Sequence, residues 1–80
     1  MVMKEPIPDG FAESIGKRMN IAMVERGVSA KALAKDSGLC YSTIAAIRRG
    51  ARIPSAWAVV RICAALRCDA GWLLGMKGRR

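Results

Sequence analysis

Residues 29–50 read Ser29-Ala-Lys-Ala-Leu-Ala-Lys-Asp-Ser-Gly-Leu-Cys-Tyr-Ser-Thr-Ile-Ala-Ala-Ile-Arg-Arg-Gly50, and this stretch decides the fold. Ser29 is a good N-cap, because its side-chain oxygen can accept from the unbonded N–H groups of a first turn. Ala30, Leu33, Ala34 and Ser37 follow at helical spacing on one face. Gly38 comes next, where a helix ends readily in the left-handed conformation. A second helix starts near Cys40, carries Ile44 and Ile47 inward, and stops at Gly50. Two helices that cross this closely need a small residue at the contact, a flexible turn residue and a branched apolar plug. Ala34, Gly38 and Ile44 supply all three.

This arrangement resembles the helix-turn-helix of the Cro and phage-repressor type of DNA-binding domain. Leu33 and Ala34 match the family's Leu-Ala pair, Gly38 its turn glycine, and Ile44 the isoleucine of its recognition helix. Gly50 and Pro54 match its exit from that helix. The resemblance covers roughly residues 15–74. It implies an all-α chain, a five-helix bundle of the lambda-repressor-like DNA-binding domain type. By the same resemblance, the base-reading positions fall on Tyr41, Ser42, Ala45 and Ala46. Thr43, Arg49 and Arg52 fall where the family touches phosphate, and Leu33, Ala34, Gly38, Ile44 and Ile47 form the turn and core of the motif. The chain departs from the family's pattern at Ala30, where a Gln is frequent, and at Cys40, a weaker cap than Ser by about 1 kcal/mol. A Glu–Arg pair common in the family is replaced by Arg48 and Met23, so both charges are absent together and neither is left buried alone.

Eighty residues make one domain, and 52% hydrophobic content excludes a disordered chain. The apolar runs are far too short to span a membrane, and no secretion signal is visible. Cys40, Cys63 and Cys68 are odd in number and lack metal-ligand spacing, and there is no His. A reduced, cytoplasmic protein, bacterial or phage-encoded, with no metal and no cofactor is the expectation. The few acids are scattered and no cysteine has an activating base beside it, which argues against an enzyme.

Charge points to the partner. The net charge is +8, which suits a polyanion. Residues 1–36 hold six Lys and Arg against five acids, whereas residues 37–80 hold eight against Asp69 alone. No acid occurs between Asp36 and Asp69, the interval that contains the recognition helix.

In chain order, residues 1–10 form an N-terminal arm, marked by Pro6, Pro8 and Gly10 and without periodicity. Residues 11–75 form the helix-turn-helix domain, and residues 76–80 a basic tail. Helix one spans about 11–26, with Phe11, Ile15, Met19, Ala22 and Met23 as its apolar stripe and Lys17, Arg18, Glu25 and Arg26 in water. Gly27 ends it. Helix two covers 30–37 and helix three about 41–49. Pro54 prevents continuation, Ser55 caps helix four to about Arg67, and Val59, Ile62, Cys63 and Leu66 close the core. Asp69 caps a last short helix, 70–74. Arg48 and Arg61 read as solvated charges.

The expected function is sequence-preferring binding of double-stranded DNA by a small transcriptional regulator, a repressor. Ser42 and Tyr41 can hydrogen-bond base edges, while Ala45 and Ala46 offer only methyl contact. One alternative is the DNA-binding antitoxin of a toxin–antitoxin pair, with a toxin as partner. Another is a protein-interaction module that keeps the fold without DNA readout. A module this small reads few bases, which implies a homodimer. Trp72, Leu74 and Met76 are the candidate self-contact, with Trp72 covering its own core as the competing reading.

Overall fold

The capping residues read from sequence set the helix starts. Ser29 and Ser55 each accept from the backbone N–H three residues on at 3.1 Å, and Asp69 does the same at 2.9 Å. In the computed structural model, which describes residues 7–76, five helices result: α1 Phe11–Arg26, α2 Ala30–Ser37, α3 Tyr41–Arg48, α4 Ala56–Leu66 and α5 Ala70–Leu73. No strand occurs among the described residues. Residues 1–6 of the arm, with Lys4, and Lys77, Arg79 and Arg80 of the tail lie outside them.

Helices α3, α4 and α5 each stop a residue before the sequence suggests. In α3, the N–H of Gly50 returns to the Ile47 carbonyl at 3.1 Å and that of Ala51 to the Ala46 carbonyl at 2.9 Å. This paired return is a Schellman closure, and Gly50 supplies its positive φ of 79°. In α4, Arg67 takes the left-handed position itself, at φ 54°, where a non-glycine residue costs roughly 1 kcal/mol. Cys68 N–H then reaches back to the Cys63 carbonyl at 3.1 Å.

The core draws on every helix. Ile15, Met19, Leu33, Ile44, Ile47, Ile62 and Leu73 are fully buried, and Ala34 is buried in the same cluster. The apolar stripes read from sequence therefore face inward, with Phe11 partly buried at the edge. Trp72 corrects the expected self-contact surface. It is only 6% exposed, turned inward with Leu73 because α5 packs on both α1 and α4. Leu74 is half-buried against the same cluster, and of the three candidates Met76 alone is exposed. Arg18 also departs from expectation. It is half-buried, donates to Ser14 and lies against Gly75 beyond α5. No helix among the described residues is long and apolar enough to cross a membrane.

Gly16 governs how α1 meets α3. A Cβ there would stand 2.6 Å from the carbonyl oxygens of both Ile47 and Arg48. Only a glycine lets the backbones come this near. At the same seam, a Cβ on Gly50 would lie 2.9 Å from Glu13 Cγ, so the turn after α3 rests on the first turn of α1.

Two opposing effects bear on Gly16→Ala. Helix propensity favours Ala by about 1 kcal/mol. The contact with two fixed carbonyls must be relieved by moving α1 off α3, a form of overpacking that costs typically 1–3 kcal/mol and occasionally more. With both partners backbone, relief cannot come from a side-chain rotation, which puts the cost at the upper end of that range, about 3 kcal/mol, and the net effect at a loss of about 2 kcal/mol. Chemical denaturation measures it. A midpoint equal to or above the parent's would show that α1 does not approach α3 through Gly16.

Candidate nucleic-acid interface

Helix α3 is anchored on one side and open on the other. Ile44 and Ile47 are completely buried, whereas Tyr41 is 49% exposed and Ser42, Arg48 and Arg49 are exposed. Thr43 and Ala45 are half-buried between the two sides. Ala46 is buried at 9% exposure, which corrects its expected base-reading position. The Ala46 carbonyl also accepts the Ala51 N–H in the exit turn. Of the two alanines, only Ala45 retains a partly open methyl.

Two of the three expected phosphate-contacting residues meet. Arg52 Nη1 donates to Thr43 Oγ1 at 3.2 Å, so the loop after α3 folds its cation over the middle of that helix. Arg49 is the C-cap residue of α3 and stands exposed beside Arg48. At the other end of α3, Cys40 gives no side-chain cap. The helix therefore presents first-turn N–H groups that no side chain of its own cap occupies. Tertiary structure also adds an acid that the linear charge reading does not contain, since Glu13 of α1 rests against the Gly50 turn.

Arg61 is the residue that sequence reasoning misassigned. It is half-buried, its Nε donates to the Ser37 carbonyl at 2.8 Å, and its guanidinium lies 5.6 Å from the Trp57 ring centroid. Ser37, 1% exposed, donates its hydroxyl to the Ala34 carbonyl at 3.4 Å and accepts from Leu39 N–H at 3.3 Å. The turn between α2 and α3 is thus held from α4. A signal for this was available: Arg61 is the one charged residue in the eleven of α4. A lone cation within an apolar helix has little reason to be there unless it bonds something. Gly16 gave a comparable signal, as a glycine inside a helix at a cost of about 1 kcal/mol.

Residues 18–77 match the Cro/C1-type HTH DNA-binding domain. The chain belongs to that family. Among solved structures it is similar to the N-terminal DNA-binding domain of SinR from Bacillus subtilis, at 28% identity and TM-score 0.77, over 84% of this chain and 99% of that one. It is similar also to the restriction-modification controller protein C.AhdI from Aeromonas hydrophila, at 27% identity and TM-score 0.74, over 78% and 94% of the two chains. A hypothetical transcription factor from Neisseria, at 24% identity and TM-score 0.76 over 91% and 86%, shares the fold. No curated protein matches the chain. As a Cro/C1-type domain with regulator neighbours, it binds double-stranded DNA in the service of transcription regulation.

Arg61→Met keeps the apolar stem and removes the bond to Ser37. Loss of a hydrogen bond from a charged group predicts about 2 kcal/mol of destabilisation. The salt dependence of DNA binding should not change, because this guanidinium is engaged within the fold. Denaturation together with binding titrations over a salt series tests both halves. A reduced salt slope with unchanged stability would make Arg61 a phosphate ligand instead.

Proposed function

We propose that α3 enters the major groove of duplex DNA and that the protein is a repressor acting by occupancy of its site, as a cytoplasmic regulator of bacterial or phage origin. The observation that carries this reading is the exposed side of α3, where Tyr41 and Ser42 stand beside the Thr43–Arg52 pair. Ser42 and Tyr41 supply hydrogen bonds to base edges, and Ala45 a methyl contact of the kind that suits thymine. Arg49, Arg52 and Thr43 neutralise or bond phosphate and set the register of the helix. Affinity then rests mostly on phosphate contacts, with a short list of groups to discriminate sequence.

Self-association belongs to this proposal, on a surface other than the one read from sequence. Helix α4 buries Val59, Ile62 and Leu66, yet its outer side also carries apolar Trp57 at 65% exposure and Val60 at 55%. Ile53, just before it, is 40% exposed. A helix whose outer side is also largely apolar is normally covered on both sides. A second copy of this chain is the occupant we assign. These three residues bear no charge, and Arg61, whose guanidinium lies over the Trp57 ring, is bonded to the Ser37 carbonyl of its own chain, which lessens repulsion between two copies each at +8. Two recognition helices related by a two-fold axis read half-sites roughly 10 base pairs apart, centre to centre.

Selection of duplexes from a random pool, at stated salt, tests the reading. An enriched inverted repeat supports it, and binding without enrichment contradicts it. In the same assay, Arg49→Ala or Arg52→Ala should weaken all sequences alike and lower the salt slope by about one unit. Ser42→Ala should instead relax one base position by roughly 1–3 kcal/mol and leave the slope alone. An unchanged motif for both Ser42→Ala and Tyr41→Phe would remove them from base readout.

Sedimentation with the selected duplex measures the assembly. Two chains per duplex are expected for the parent, and Trp57→Ser should shift the complex toward one. Two chains bound with undiminished affinity in Trp57→Ser would place the self-contact elsewhere.

A further inference from the structure

The end of α4 holds a pair of thiols that DNA binding does not use. Cys63 and Cys68 occupy the two positions of a Schellman closure whose side chains come together, and their backbones are joined by the 3.1 Å bond from Cys68 N–H to the Cys63 carbonyl. Cys63 is buried and Cys68 half-buried, and both are free thiols. Cys68 opens onto a cleft of about 190 Å³, lined also by Ala22, Glu25, Arg26, Leu66 and Arg67. Arg26 Nη2 donates to the Arg67 carbonyl at 3.2 Å, which ties the end of α1 to the cap of α4. The cleft is therefore lined by two arginines beside the half-buried Cys68. Each half of an oxidised glutathione-type disulfide carries two carboxylates, the charge that arginines attract.

We propose that Cys68 and Cys63 form a thiol–disulfide exchange pair that takes an anionic low-molecular-weight disulfide of the glutathione disulfide class. Cys68 is the attacking sulfur. The thiol–thiol hydrogen bond with Cys63 lowers its pKa, and Arg26 lowers it further, against burial and Asp69, which raise it. Cys63 is the resolving sulfur, held protonated by that same hydrogen bond, by burial and by the charges of Cys68 and Asp69. In the first step the Cys68 thiolate forms a bond to one sulfur of the disulfide, the S–S bond breaks, and one small thiolate leaves. Cys63 then gives up its proton and attacks the sulfur of Cys68, and the second small thiolate leaves. Two protein thiols are oxidised by two electrons, and one disulfide is reduced to two thiols that receive the protons. The new bond closes residues 63–68 and locks the left-handed cap at Arg67.

The experiment treats the reduced full chain with glutathione disulfide, blocks remaining thiols and digests with trypsin. Arg67 lies between the two cysteines, so cleavage after it separates fragments 62–67 and 68–77 unless a disulfide joins them. The expected product is that joined pair, while Cys40, exposed and without a partner thiol, carries glutathione at most. Cys63→Ala should trap the intermediate, with glutathione retained on Cys68. Arg26→Gln should slow the reaction with glutathione disulfide by about threefold or more and leave the rate with neutral hydroxyethyl disulfide unchanged. Three results would overturn the proposal: both thiols staying reduced in the folded chain, glutathione persisting on Cys68 of the parent without a cross-link, or cross-linking only after denaturation. Equal slowing of both disulfides by Arg26→Gln would overturn recognition of the anionic class.

Discussion

The absence of a side chain at Gly16 lets α1 lie directly on the last carbonyls of α3, and the rest of the structure depends on that contact. A Cβ at this position would be 2.6 Å from two carbonyl oxygens. With the C-terminal end of α3 seated on α1, Ile44 and Ile47 have one place to go, the shared core. The opposite side of α3 then has one place to go as well, outward. Exposure of Tyr41 and Ser42 is thus a consequence of a backbone contact on the far side of the helix.

The N-terminal end of α3 is held differently. Two helices meeting at Gly38 would leave the carbonyls at the end of α2 unpaired. Arg61 reaches across from α4 and bonds the last of them, at Ser37, while Trp57 covers its guanidinium. Leu39 N–H finds the Ser37 hydroxyl. The turn is therefore rigid through polar bonds to a half-buried cation, and α3 is fixed at both ends by elements remote in sequence. The proposed base readout by α3 requires such anchoring, because hydrogen bonds to base edges tolerate little angular error.

The surface so positioned is richer in cations than in neutral hydrogen-bonding groups. Arg48, Arg49 and Arg52 gather at the end of α3 and the loop after it, while its exposed neutral hydrogen-bonding side chains are Tyr41 and Ser42. The Thr43–Arg52 bond orients one of these cations over the middle of α3. Glu13, beside the Gly50 turn, places one negative charge at the edge of the same region.

Local chemistry was legible from the sequence wherever a residue acts on its own neighbours. Ser29, Ser55 and Asp69 cap α2, α4 and α5 as their side chains dictate, Gly27 and Gly38 end α1 and α2, and the 3.6-residue stripes from Ile15 to Leu66 face inward. The motif at Leu33, Ala34, Gly38 and Ile44 was sufficient to identify the family. Outcomes that depend on what lies across the fold were not legible, beyond the two flags of a lone cation in α4 and a glycine inside α1. Trp72 read equally as surplus apolar surface or as cover for its own core, and it is core, because α5 folds back over α1 and α4. Ala46 fell on a base-reading position by resemblance and is buried. Arg61 looked solvated and is a bolt, and Gly16 drew no attention until α3 was seen against it. Periodicity and capping are properties of a segment, and the sequence determines them alone. Which small residue must stay small, which charge must be bonded and which apolar residue is left outside are properties of pairs of segments, and only the tertiary structure decided those.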